Sequence, residues 1–85
     1  MYLHIGNDVV VHHHNVLGIF DLENTSVSKY TKEYLRGKQQ ENRVIEVTKD
    51  MPKSFIVACD KKGKERVYLS LLAPRTLKKR WEEIE

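Results

Sequence analysis

The apolar positions of this chain fall in short runs whose spacing changes along its length. Tyr2-Leu3-His4-Ile5 has the length of a short strand, and Gly6-Asn7-Asp8 behind it is a turn signal. Val9-Val10-Val11 is β-branched and Val16-Leu17-Gly18-Ile19-Phe20 is apolar, with His12, His13, His14 and Asn15 between them. That spacing suits a hairpin or a bent strand pair. The period then lengthens to that of a helix. Val27, Tyr30, Tyr34 and Leu35 recur on one side, while Lys29, Lys32, Glu33 and Arg36 point away. Thr25 or Ser26 offers a hydroxyl to an unpaired amide of the first turn. Gly37 is a natural left-handed stop, which leaves Lys38 to Asn42 as a polar loop.

Strand signals return at Arg43-Val44-Ile45-Glu46-Val47, and Lys49-Asp50-Met51-Pro52-Lys53 interrupts them. Ser54 to Asp60 and Glu65 to Leu72 flank Lys61-Lys62-Gly63-Lys64, a hairpin pattern with Gly63 at a positive-φ position. In the second arm Val67, Leu69 and Leu71 alternate with Arg66, Tyr68 and Ser70, which predicts one buried face. Pro74 suits the first turn of a last helix, where its missing N–H costs nothing, and Leu77, Trp81 and Ile84 share one side of it. The order strands, helix, strands, helix predicts an α+β fold: a small antiparallel sheet with two helices. No repeat or low-complexity linker divides the chain, so residues 1–85 are expected to form one domain.

Size alters this picture by limiting the core. A chain of 85 residues buries only about 60–65% of the surface exposed when it is unfolded. With Cys59 as its one cysteine it has no internal disulfide to add. Cys59 ends the apolar run from Phe55 and is expected to be a buried structural thiol. Oligomerisation is the remaining source of stability. No signal-peptide pattern opens the sequence, and no apolar run approaches the roughly 20 residues that span a bilayer, so a cytoplasmic protein without membrane contact is expected.

Charge is unevenly placed. Residues 1–24 carry three acids and no Lys or Arg, whereas residues 25–85 carry all 15 basic residues and nine acids. With a pI near 9.1, a polyanion, and first of all nucleic acid, is the partner to consider. Arg75, Lys78, Lys79 and Arg80 form a cluster that is a solvated helix face, a phosphate-binding surface or a salt-bridged subunit interface. Lys61, Lys62 and Lys64 at the hairpin tip are solubilising charges or a lysine arm that reaches phosphates.

His12, His13 and His14 are the sharpest chemical feature. His12 and His14 would share a strand face, and imidazole suits zinc, copper and nickel. No Cys or carboxylate stands near them at ligand spacing, so the run is expected to be an exposed polar turn, or a phosphate contact, with no metal bound. Trp81 belongs to packing before base stacking, given Leu77 and Ile84 beside it. No nucleophile elbow, glycine-rich phosphate loop or metalloprotease helix motif occurs, so neither enzyme, cofactor nor small-molecule substrate is expected.

Met1-Tyr-Leu-His-Ile-Gly6, Gly18-Ile-Phe-Asp21, Pro52-Lys53-Ser54 and Thr76-Leu-Lys-Lys-Arg80 together resemble the RemA/RemB family of bacterial extracellular matrix regulators, over almost the full length. The resemblance implies a non-enzymatic, DNA-binding regulator of biofilm matrix genes that assembles into a ring-shaped homo-oligomer and engages double-stranded DNA through arginines on the ring. Asn15 occupies the place of one such arginine, in the turn before the strand Val16 to Phe20. Met51-Pro52-Lys53 stands where the family has paired arginines. The DNA-contacting positions are thus partly kept, and Asn15, Lys53, Arg75, Lys78, Lys79 and Arg80 are the candidate contact residues. The competing expectation is a structural or protein-interaction module, an oligomeric partner of a RemA-like regulator without DNA binding of its own. Convergence of Asn15, Lys53 and the C-terminal cations on one face would favour DNA; scattered cations would favour the module.

Overall fold

The computed structural model describes residues 1–23 and 28–83. Strand β1 (Tyr2–Gly6) turns into β2 (Val9–His12), a three-residue 3-10 turn at His13–Asn15 follows, and β3 (Val16–Asp21) leads to helix α1 (Lys29–Gln40). Strands β4 (Val44–Glu46), β5 (Ser54–Cys59) and β6 (Glu65–Ser70) and helix α2 (Pro74–Glu82) complete the chain. β1 and β2 form a two-stranded sheet, and the other strands form a four-stranded sheet in the order β3-β5-β6-β4. No described helix is long and apolar enough to cross a membrane.

Local chemistry sets each turn. Asn7 and Asp8 both take positive φ, 45° and 63°, the backbone that a two-residue hairpin demands and that Asn and Asp tolerate best among residues with a Cβ. The Asn7 amide also donates to the Val47 carbonyl and so ties the β1–β2 turn to the segment after β4. Gly63 stands at φ 78° in the β5–β6 turn, as its place in the hairpin requires. Pro74 occupies the first turn of α2.

Several expectations are corrected. Of the two readings of the histidine segment the hairpin is excluded and the bend between strands is kept: β2 pairs with β1, and the chain bends through the 3-10 turn into a different sheet. The sheet is not wholly antiparallel, because β4 runs parallel to β6 with Val44 opposite Val67. Gly37 does not stop α1. The helix runs three residues further, and Asn42 at φ 58° supplies the left-handed residue. There the N–H of Arg43 donates to the Lys38 carbonyl and that of Asn42 to the Gln39 carbonyl, a Schellman closure. Ser28 caps α1 through the Thr31 N–H, while Thr25, Ser26 and Val27 lie outside the described residues, as does Ile84 of the last helix. Tyr30 is 82% exposed, so only Tyr34 and Leu35 serve the inner face of α1.

The four-stranded sheet is covered on both faces, which is why β5 reads as an unbroken apolar run and Tyr68 and Ser70 are not solvent-facing. On one face Ile56 and Ala58 meet Leu3, Ile5 and Val11 of the hairpin and Leu77 of α2. On the other, Phe55, Val57 and Val67 meet Tyr34, Leu35 and Val44. Cys59 is half-buried at the end of β5 rather than enclosed. Leu71 lies beyond β6 and is 40% exposed.

Fully buried Ser70 joins the layers, donating to the Ile5 carbonyl at 2.7 Å while its oxygen accepts from the Leu72 N–H. Such a bond is worth about 1 kcal/mol net, but orphaning the Ile5 carbonyl would cost more. Ser54, opposite Ser70, donates to the Leu72 carbonyl. Among the described residues no buried side-chain nitrogen or oxygen lacks a partner.

A bulge shapes β3. Val16 pairs with Ala58 and Gly18 with Val57, so Leu17 is an extra residue. The alternation is reset there: Val16 and Ile19 face the hairpin side, whereas Leu17 and Phe20 face the α1 side. Phe20 stacks on Phe55 at 4.8 Å, and a Cβ on Gly18 would meet its ring at 2.6 Å. Leu17 and Phe20 stay 58% and 46% exposed beside Tyr34 and Glu65, leaving an apolar groove of about 340 Å³ at the β3 edge.

Candidate functional site

The turn that carries Asn15 is built by the histidines themselves. The backbone N–H of His14 donates to Nδ1 of His12 at 3.2 Å, and the N–H of His13 donates to the Met1 carbonyl. The His13 ring lies against Trp81 at 4.6 Å, and the Trp81 indole N–H donates to the His13 carbonyl. Trp81 therefore fastens α2 to this turn. Among the described residues no group of three His, Cys, Asp or Glu side chains is arranged to hold a metal ion.

His12 is a structural acceptor here, which gives the turn a pH dependence. Partial desolvation, and then the positive charge of the N-terminus, His14 and His13, lower its pKa below 6.5. A histidine whose folded-state pKa is depressed contributes stability that is present above the unfolded pKa and is lost as pH falls below it. Melting temperature should thus fall between pH 7.5 and 5.5. In His12→Asn, which keeps an acceptor that does not titrate, the fall should be smaller. Equal falls in the two proteins would remove His12 from this role.

Beyond the turn, Asn15 and His12 line an open groove of about 530 Å³ between β2 and the β5–β6 hairpin. Arg43, Lys61, Lys62, Lys64 and Arg66 surround it, with Asp60 as its one carboxylate. Arg43 reaches the groove because β4 is parallel to β6. That pairing delivers Arg43, the residue before β4, beside the hairpin 17 residues later. Asp60 organises the hairpin tip: one carboxylate oxygen accepts the N–H groups of Lys62 and Lys64, both at 2.9 Å. Its other oxygen meets Arg43 at 3.1 Å and Arg66 at 3.7 Å. The Lys64 N–H bond, with the Lys62 N–H and Arg43, outweighs desolvation and lowers the Asp60 pKa.

Of the candidate contact residues, Asn15 and Lys53 do not converge on one face. Asn15 precedes β3 and Lys53 precedes β5, and these strands are antiparallel, so the two residues lie at opposite ends of the pair, roughly 20 Å apart for a six-residue strand. Lys53, exposed, holds the far end through backbone bonds with Leu22 and Ser70. On α2, Arg80 donates to the His4 carbonyl at 3.2 Å, and Lys78 borders Val16 to Ile19. Arg75 and Lys79 are exposed and line no part of the groove. Asn15 instead joins the hairpin lysines and two arginines that sequence reasoning had not singled out. The run Asp60-Lys61-Lys62-Gly63-Lys64 carries the local signal, since Asp two residues before a free N–H favours this turn. Nothing local places Arg43 beside it.

Comparison with known proteins supplies the remaining information. Residues 2–81 match the model of the RemA-like family, described as extracellular matrix regulatory protein A-like. The chain is similar to extracellular matrix regulatory protein B of Bacillus subtilis (strain 168), with 36% identity over 80 residues, covering 94% of this chain and 89% of that protein. The match takes in the histidine turn, the cationic groove and most of α2. The chain belongs to the RemA-like family of extracellular matrix regulatory proteins.

Proposed function

We propose that this chain is a cytoplasmic, non-enzymatic regulator of transcription that binds double-stranded DNA as a homo-oligomer, mainly through phosphate contacts. The similarity to an extracellular matrix regulatory protein supports the regulatory role and suggests biofilm matrix genes as its targets. The observation that carries DNA binding is the groove, where five cationic side chains and Asn15 face one carboxylate. Phosphate contacts give affinity and register without reading sequence, and repetition around an oligomer would add avidity. Lys53 and the α2 cations Arg75, Lys78, Lys79 and Arg80 would serve as outlying contacts on a larger duplex path. Anisotropy of a labelled duplex at low salt tests this: two unrelated sequences should bind with similar affinity, and no change with either would overturn it.

Two features support self-association. β3 and β4 are the edges of the four-stranded sheet, and Leu17 and Phe20 expose apolar surface along the first of them. Light scattering at micromolar concentration should give a closed oligomer, and Leu17→Glu should shift it toward smaller species. A 10.0 kDa monomer for the unmutated chain would remove the ring arrangement.

A second reading, a protein-interaction module without DNA binding of its own, is favoured by the separation of Lys53, at the far end of the β3–β5 pair, from Asn15. It is distinguished by an oligomer that forms normally and binds no duplex.

A further inference from the structure

The groove holds more positive charge than its surroundings need, and the pairing of that charge is uneven. Lys61, Lys62 and Lys64 are exposed and take part in no ion pair among the described residues, whereas Arg43 and Arg66 both turn onto a single Asp60 oxygen. Arg43 is the more enclosed of the two, with 23% of its side chain exposed against 46% for Arg66. Two guanidinium groups, one from the residue before β4 and one from β6, meeting at one anionic oxygen, form the arrangement that holds a phosphate oxygen. The carboxylate does not depend on them, since its other oxygen is anchored by the Lys62 and Lys64 N–H groups.

We propose that Arg43 and Arg66 form a phosphate-binding fork for a nucleic-acid backbone, and that Asp60 is its resident anion in the free protein, which the two guanidiniums leave for phosphate when it enters. This inference rests on the DNA-binding reading and adds the regulation of that site. Asp60 keeps both guanidiniums ordered and restrains the affinity of each subunit, so that tight binding requires several subunits on one duplex. It remains in place afterwards, because the hairpin tip holds it through its other oxygen.

Asp60→Asn separates the two jobs of this side chain. The amide oxygen can still accept from Lys62 and Lys64, while the amide nitrogen no longer pairs with Arg43 and Arg66. Binding of a fluorescein-labelled duplex should tighten about tenfold at low salt, and the slope of log K against log salt should steepen by up to about 1.8, two phosphate contacts at roughly 0.9 each. Glu46→Gln removes one charge from an exposed site on β4 and should leave both quantities unchanged. Adding Arg43→Gln and Arg66→Gln to Asp60→Asn should abolish the gain. Parent binding without a gain in Asp60→Asn, or an equal gain in Glu46→Gln, would overturn the fork and leave the DNA-binding reading intact. Absence of duplex binding by both the parent and Asp60→Asn would overturn the two together.

Discussion

Replacing Leu77 with Ala should lower the melting temperature by roughly 10–40 °C and release α2 from the sheet. Leu77 is the only buried residue described in this helix, and it is fully enclosed among Leu3, Ile5, Ile56 and Ala58. A buried Leu→Ala change costs about 2–5 kcal/mol, the transfer energy of the missing methyl groups plus the cavity left behind. In a domain of this size each kcal/mol moves the midpoint by roughly 4–8 °C. Only Trp81, the sole tryptophan, and Arg80 provide other described anchors from α2 to the hairpin side, and both bonds are exposed. Trp81 fluorescence therefore reports helix release directly, and it should shift before the far-ultraviolet dichroism of the sheet. Leu71→Ala, at a position 40% exposed, is the control and should move the midpoint by only a few degrees. A Leu77→Ala protein that melts with the parent would mean that α2 contributes nothing to the core.

The element types were largely legible in the sequence, because each rests on local chemistry. The β1–β2 turn follows from Asn7-Asp8, the β5–β6 turn from Gly63, and the start of α2 from Pro74. What was not legible depends on long-range pairing. The Val67–Leu71 alternation suggests a sheet with one solvated face, but the hairpin and α2 cover that face and bury Ser70. Gly37 looks like a helix stop until Asn42 is seen to meet the requirement five residues later. The groove depends on the same kind of information. Asn15 and the lysine hairpin are visible as separate segments, and only the parallel β4–β6 pairing brings Arg43 to join them. Whether Lys53 lies beside Asn15 was equally invisible, since only the β3–β5 register places it at the far end.

Converting Lys61, Lys62 and Lys64 together to Ser should weaken duplex binding at least tenfold near physiological salt. It should also reduce the salt slope by up to about 2.7, at roughly 0.9 for each phosphate that is no longer neutralised. The fold should survive, since all three side chains are exposed and the turn rests on Gly63 and on backbone bonds to Asp60. Converting Lys78, Lys79 and Arg80 to Ser is the matched comparison, with the same charge removed from a face outside the groove. Its effect should be smaller, and Lys53→Ala smaller still. If the α2 triple change weakens binding more than the hairpin change, the DNA path runs along the helix and the groove is peripheral. Because phosphate contacts carry no sequence information, each reduction in affinity should be similar on unrelated duplexes.

The most direct measurement of the central claim is the salt dependence of duplex binding by the unmutated protein, followed by anisotropy between roughly 50 and 200 mM salt. Affinity should fall linearly on a log–log plot, with a slope of about −2.7 or steeper if the three hairpin lysines each displace a counterion, and with the same slope for two unrelated sequences. A flat dependence would contradict DNA recognition by this groove, and no binding at the lowest salt would leave the chain as an interaction module.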